Sequence, residues 1–506
     1  MASTDFYKPH QHNLSSEGSI QRRRVARVYG EAILMLAPLL MFYWIMPLSD
    51  DLHLFYNFVN SILPIYFCFV LALLAARVLK RMPDALWTGV FWFPIQSLVF
   101  FGFGPLVEIY GNEITQVSLA DSGLAVSEVE LFRTNILSVT GVSFILLGFF
   151  GHMKYFSKSW AKSKDVARTN FSMAKFGLLM ILLGGFFKYF ILLPAQWGFI
   201  NVTVAGVLSG LGNAVDLGFA IIAYMIASGH RKHTIIFWSL WPLHIALSVI
   251  TFAKMSVVIA MLLPLLGAYI AHRSRKRFIF GLLIIGFVYA SLQPIVHYGR
   301  AKIYANTGTI SNADYAERVE HLLQFFVSDE EVFNSFVDDR QGWWTRLSSA
   351  GPQAQAMALY DQGNYNRTLD QAWMFFIPRA IWPNKPIMVG PGLEFYRMVT
   401  GREDANSFLA LSIYGDLYWQ YGWSGVILGS TLIGVLFAML SAQSVRIIRR
   451  RDFLMLPPVL MALEMMLLGP NKYVLNGIIG PLPIYFAFYV FFNFVSRSLR
   501  TKQKLK

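Results

Sequence analysis

Twelve apolar runs, most of them close to the ~20 residues that carry a helix across ~30 Å of hydrocarbon, constrain this chain more than any other feature. They fall at about Glu31–Leu48, Phe55–Ala76, Leu86–Ile109, Thr134–Met153, Phe176–Ala195 and Val204–Ala227. Six more lie near Ile235–Ile250, Ser256–Ala271, Phe278–Pro294, Ser424–Ser444, Leu454–Leu468 and Val474–Phe494, with the join at Thr251–Met255 open to being one broken element. Backbone groups in lipid have no water to bond, so each run is expected to be a helix that satisfies its own amides. The expected fold is therefore all-α, a polytopic transmembrane bundle of about twelve spans. A hydrophobic share of 55% and a mean hydropathy of +0.48 agree.

Charge sets the expected orientation. The net charge is +14, and 29 of the 43 Lys and Arg residues sit in alternate short segments and the two ends. The intervening stretch Gly111–Leu131 has no Lys or Arg but carries Glu113, Asp121, Glu128 and Glu130. The positive-inside bias then places both termini in the cytoplasm. The apolar run after Arg27 is too long for a removed signal segment and is expected as a retained first helix. The resulting plan is a cytoplasmic tail over 1–28, spans over 29–297, a large external loop over 298–423, further spans over 424–496 and a basic cytoplasmic tail over 497–506. Basic residues at helix ends meet membrane lipids, and no basic module interleaved with aromatics points to nucleic acid. One cysteine, Cys68 in an apolar run, excludes a disulfide within the chain and a cysteine-based metal site. No paired histidines with a carboxylate have metal spacing, so no metal or cofactor is expected.

The polar window His297–Trp423 is the only sizeable mass outside the apolar runs. Apolar positions Val319, Leu322, Leu323, Phe326 and Val327 predict an amphipathic helix within Asp314–Phe336. The aromatic clusters Gly342-Trp343-Trp344 and Tyr418–Trp423 are expected to anchor at the interface, ahead of stacking on sugars. Arg300, Arg340, Arg346, Arg379, Arg402 and Lys385 are candidate anion ligands, because a guanidinium fork matches phosphate oxygens. Pairing with the window's acidic residues is the plainer expectation for any single arginine. Arg379 stands apart: Pro378 precedes it and Pro383 and Pro386 follow, which restricts the backbone that presents it. Inside the spans, Lys188 is expected either to pair with Asp216 or to help neutralise a diphosphate, and His244 to be a packing residue.

The segment Pro378-Arg379-Ala380-Ile381-Trp382-Pro383-Asn384-Lys385-Pro386 resembles the Pro-Arg-x-x-Trp-Pro-x-Lys-Pro signature of bacterial O-antigen and exopolysaccharide repeat-unit polymerases of the Wzy type. Arg379 to Gly390 fits that family's arginine–ten residues–glycine spacing. Arg346 with Gly363-Asn364-Tyr365 resembles its arginine and Gly-x-Tyr segment. Tyr414-Gly415-Asp416-Leu417-Tyr418 and Tyr421-Gly422-Trp423-Ser424-Gly425 resemble its run into the next helix. The likeness covers roughly 344–425 and, beyond that, architecture alone; a single arginine–ten–glycine spacing is present where some members have two.

The resemblance implies a metal-independent glycosyltransferase of the bacterial inner membrane. It would join polyprenyl-diphosphate-linked oligosaccharides, one as donor and one as acceptor, releasing the polyprenyl diphosphate, with a chain-length regulator as a further partner. The donor carries its own bond energy, consistent with the absence of Walker and Asp-x-Asp motifs. His297, His321 and Asp416 are the candidate bases. Three alternatives stand beside this reading: a ligase handing the glycan to another acceptor, a transferase using single-sugar polyprenyl phosphates, and a flippase of lipid-linked glycan.

Overall fold

The computed structural model describes residues 14–46, 53–121, 124–156, 173–197, 199, 211–272, 274–307, 313–327, 344, 347–377, 381–382, 384–385, 391–401, 409–450 and 455–504. Every regular element among them is helical. Nine of the helical stretches are long and apolar enough to cross a membrane, and two shorter apolar helices span Ala214–Ala227 and Lys254–Tyr269. The predicted run Leu454–Leu468 is a 13-residue helix, Leu456–Leu468. The protein is a multi-pass membrane protein. Leu34, Phe58, Leu182, Phe287, Leu432 and Phe494 all point outward from their helices, the placement expected when lipid is the solvent.

Several helices outrun their apolar cores. The first is Leu14–Ile45, so most of the expected N-terminal tail is helical. The helix Arg275–Thr307 carries His297 and Arg300 past the predicted end of the spans. Ile413–Arg449 starts eleven residues before the predicted Ser424. From a break at Gly422 it runs to Arg449 over roughly 40 Å, beyond the ~30 Å of hydrocarbon. Loss of hydropathy marks the lipid boundary, whereas helix formation continues wherever propensity and a cap allow it. Here the cap is Ser412, whose hydroxyl accepts from the Gly415 amide.

The chain divides into two compact units, 1–167 with 344–496, and 168–343 with 497–506. The window expected as one loop is thus shared, with 298–343 in the second unit and 344–423 in the first. In the first unit the helices are α1 (Leu14–Ile45), α2 (His53–Arg81), α3 (Gly89–Ser97), α4 (Leu106–Tyr110), α5 (Glu113–Asp121) and α6 (Glu128–Tyr155). In the second they are α7 (Met173–Phe186), α8 (Ala214–Ala227), α9 (Thr234–Ile250), α10 (Lys254–His272), α11 (Arg275–Thr307) and α12 (Tyr315–Val327). The first unit resumes with α13 (Ala350–Asp361), α14 (Pro391–Thr400), α15 (Ile413–Arg449), α16 (Leu456–Leu468) and α17 (Pro481–Lys504).

The core pair of the first unit is α6 against α15. A Cβ on Gly148 would fall on the Thr431 carbonyl, and one on Gly434 on the Ile145 carbonyl, so the two backbones touch. Small residues at such a crossing let dispersion hold helices together where no hydrophobic force operates. One end of this unit is basic: Arg77 pairs with Glu31 at 2.8 Å, Arg81 donates to the Arg24 carbonyl and Arg449 reaches Asp84 at 3.1 Å. At the other end Asn57 donates to Glu128, and the segments 347–377 and 391–401 pack around the start of α15. The second unit has two apolar clusters, one around Phe219 and Phe237, the other around Phe252, Val296 and Ile303. The predicted join at Thr251–Met255 is a break: α9 ends at Ile250, Phe252 takes φ +50°, and α10 begins at Lys254.

Candidate functional site

The motif-bearing part of the first unit is built outward from the start of α15. Helix α13 is buried there because Gln353 bridges two neighbours, accepting from Ser138 at 3.1 Å and donating to Ser412 at 2.6 Å. After α13 the chain turns at Gly363, whose φ of +83° suits only glycine without strain, into Asn364-Tyr365-Asn366. The Trp419 indole donates to the Asn364 carbonyl at 2.8 Å, and the Asn366 amide donates back to the Trp419 carbonyl at 3.3 Å. Asn364 of the Gly-Asn-Tyr segment therefore bonds to Trp419, the residue that follows the Tyr-Gly-Asp-Leu-Tyr run.

Asp416 lies under this junction and is fully buried. One carboxylate oxygen accepts the Val474 amide and the other the Gln420 side-chain amide, each at 2.7 Å. Gln420 in turn accepts from the Leu369 amide at 2.9 Å. A buried carboxylate is tolerated when both oxygens are satisfied, and here that satisfaction ties α15, the 368–376 turn and the start of the last span together. The arrangement is that of an anchor. Above it, Arg133 holds Asp361 at 2.7 Å, and the Tyr418 hydroxyl donates to the same carboxylate at 3.1 Å.

The proline-framed segment returns onto the 3₁₀ helix Thr368–Phe376. Trp373 and Trp382 stack at 6.0 Å with 15° between planes. Lys385 donates to the Ile377 carbonyl at 3.2 Å, its ammonium 5.5 Å from the Phe375 ring centroid, so this candidate ligand is folded back on its own segment. Arg340, Arg346, Arg379 and Arg402 lie outside the described residues, as do Pro378, Pro383 and Pro386.

Lys188, His297, Arg300 and His321 belong to the second unit. Lys188 pairs with Asp216 at 3.1 Å, the first of its two expected fates. A π-helical turn over Phe187–Leu192 presents it together with Tyr189. His244 continues the chain, with Nε2 2.7 Å from Asp216 and Nδ1 2.6 Å from the Tyr189 hydroxyl. With its proton on Nε2 the ring donates to the carboxylate and accepts from the phenol. Stacking on Phe219 completes its packing. His297 meets Gln293 one turn earlier at 3.1 Å, and Arg300 donates to the Phe252 carbonyl at 2.9 Å.

Helix α12 realises the predicted amphipathic segment over Tyr315–Val327. It buries Arg318, whose guanidinium lies 4.0 Å from the Trp197 ring centroid and donates to the Ala313 carbonyl. Burial pushes its pKa down to about 10, Glu317 opposing and Arg300 adding to the fall. His321 is buried one turn on; its Nε2 makes no hydrogen bond among the described residues, with the Glu317 carboxylate 3.8 Å away.

Sequence reasoning passed over Arg133, Gln353 and Gln420 as site residues. Gln353 and Gln420 are buried polar residues amid apolar neighbours, and that pattern was a usable signal. Arg133 faces Asp361 across 228 positions, and no local pattern reports it. The described residues hold no cluster of three metal-binding side chains. Comparison with models of known families, with curated proteins and with solved structures gives no match.

Proposed function

We propose that this protein is a repeat-unit polymerase of the Wzy type. In this reading it crosses the bacterial inner membrane about twelve times, with both termini cytoplasmic and the basic end of the first unit facing inward. The observation that carries the reading is the bonding of the Gly-Asn-Tyr segment to the residues that join the two downstream motif pieces: Trp419 and the Asn364–Asn366 backbone bind each other in both directions, and Gln420 is bonded to the Leu369 amide of the 368–376 turn. Segments that resemble separate pieces of the family signature thus make one folded block beside the lipid.

The reaction forms a bond from an acceptor sugar oxygen to the donor's anomeric carbon. The bond from that carbon to the diphosphate oxygen breaks, and the leaving polyprenyl diphosphate carries the electron pair and two phosphates' charge. Arg379, flanked in the sequence by Pro378 and Pro383, is the residue assigned to receive that charge, where fixed donors at a low-dielectric boundary act more strongly than in water. The acceptor's proton passes to a carboxylate or imidazole, for which Asp416, His321 and His297 are the candidates. Asp416 has both oxygens occupied, which favours a positioning role for it.

Purified protein in detergent, given lipid-linked repeats and no nucleotide, is expected to produce ladders longer than one repeat. Transfer only to a core acceptor would indicate a ligase instead. Movement of the lipid across a bilayer without consumption would remove the enzyme reading altogether.

A further inference from the structure

The break in α15 is the least ordinary backbone feature of the described residues. Gly422 adopts φ +60° and ψ −150° within an otherwise continuous helix, a region that only glycine populates. A Cβ there would come within 2.8–2.9 Å of the Tyr360 ring and hydroxyl. The break lets Tyr360 pack against the helix; beside it Tyr421 is exposed and Trp423 half-buried. A series of rings results. Trp44 and Trp423 have centroids 4.7 Å apart, Trp423 and Tyr418 5.3 Å, Tyr418 and Tyr360 5.2 Å, and Tyr360 and Tyr365 6.1 Å. Both terminal rings are open, Trp44 at 49% and Tyr365 at 49% exposure.

The polar groups along this series are arranged about the rings. Tyr418 donates to Asp361, which Arg133 also holds. The Tyr421 hydroxyl donates to Asp370 at 2.7 Å, and the Arg367 guanidinium lies 5.5 Å from the Tyr365 centroid. Asp361, Arg367 and Asp370 are themselves exposed. Tyr418 is buried and Tyr360 and Trp423 are half-buried, so they carry the two exposed terminal rings; exposed rings, carboxylates that accept from hydroxyls and guanidinium groups that donate to them form the surface chemistry of sugar recognition. Pyranose C–H faces lie on the rings, and pyranose hydroxyls donate to the acids. Asp361 and Asp370 offset Arg133 and Arg367, so the patch carries no net positive charge to draw anionic lipid headgroups, the other surface an aromatic cluster could meet.

We propose that the exposed rings Trp44 and Tyr365, joined through Trp423, Tyr418 and Tyr360 and flanked by Asp361, Arg367 and Asp370, form a carbohydrate-binding surface that seats the acceptor glycan. Its identification with the acceptor rests on the polymerase reading; its binding of sugar does not. Carbohydrate contact here is made by residues outside the proline frame and its arginines, so recognition of the chain and stabilisation of the leaving group are separate tasks.

The test uses the full chain in nanodiscs and oligosaccharides hydrolysed from the producing cell's own surface polysaccharide, read by saturation-transfer NMR. Wild-type protein is expected to transfer saturation to the sugar C–H protons. Tyr365→Ala and Trp44→Ala are each expected to weaken binding about tenfold, whereas Trp238→Ala, an exposed ring of the second unit, leaves it unchanged. In the elongation assay the same two variants raise the acceptor KM and leave kcat within about twofold. Absence of saturation transfer to wild type, or equal binding by all variants, overturns the proposal even if elongation proceeds. A fall in thermal stability of Tyr365→Ala and Trp44→Ala with sugar binding unchanged would make the rings membrane anchors and also overturn it. Ring-dependent sugar binding without elongation would uphold the surface and reject the polymerase reading.

Discussion

Replacing Asp416 with asparagine separates an anchor from a base. Both carboxylate oxygens face donors, the Val474 amide and the Gln420 side chain, at 2.7 Å in a fully buried setting. Asparagine keeps the volume and one acceptor, but its amide nitrogen must face one of those donors. A flip of Gln420 does not rescue it, because the Gln420 oxygen that would turn inward already accepts from the Leu369 amide. One buried donor is left unsatisfied in either orientation, a cost of roughly 1–3 kcal/mol. For 506 residues, at about 2.1 cal/mol/K of unfolding entropy per residue, that corresponds to a fall in melting temperature of roughly 1–3 °C. The assay is thermal unfolding in detergent beside turnover per folded molecule on lipid-linked repeats. An anchor loses melting temperature while the folded fraction keeps most of its turnover. An unchanged melting temperature with turnover lowered by the roughly 10²–10⁴-fold that proton transfer supplies would refute the anchoring argument and make Asp416 the base.

Gly422→Ala forces a Cβ against Tyr360 and a side chain into a glycine-only region, so it is expected to destabilise by about 1–3 kcal/mol, read as a lower melting temperature. Lys188→Met leaves Asp216 buried with one partner fewer, at a cost of roughly 3–5 kcal/mol, and adding Asp216→Asn restores part of the yield of monodisperse protein; equal yields from all three proteins would deny the pair any structural weight. Arg379→Lys keeps the charge and loses the fork, so turnover is expected to drop by roughly 10²–10³-fold at unchanged melting temperature, and near-normal turnover would reduce Arg379 to a structural residue. After Cys68→Ala, an impermeant maleimide is expected to label Asn364→Cys in intact cells and Lys80→Cys only after permeabilisation; the reverse pattern would invert the proposed orientation.

The spans were legible in the sequence because lipid imposes both a length and an apolar composition on each helix, and the nine long apolar helices lie where the hydropathy placed them. Their ends were less so. The stretch His297–Thr307 is polar enough to end an apolar run, yet its Ala, Arg and Lys residues sustain a helix, so α11 continues into the expected loop. The Lys188–Asp216 pair was readable as opposite charges stranded in neighbouring spans. The extension of that pair through His244 to Tyr189 was not, because it depends on a π-helical turn that no residue pattern announces.

The anchoring of Asp416 was unreadable for a different reason. Half of it is a bond to a backbone amide 58 positions away, and a backbone donor has no side-chain signature. The same holds across the motif block, where Trp419 donates to the Asn364 carbonyl, Asn366 to the Trp419 carbonyl and Lys385 to the Ile377 carbonyl. A block held in this way specifies few partners by type. It requires Trp419, Gln420 and Asp416 for their donors and acceptors, while the positions that supply only carbonyls and amides are free to vary. If this surface binds sugar as proposed, its exposed residues can change with the sugar while the folded block beneath them stays the same. On the proposed reading, that division assigns the structural work to the buried hydrogen bonds and leaves sugar specificity to Tyr365, Arg367, Asp370 and Tyr421 on the surface.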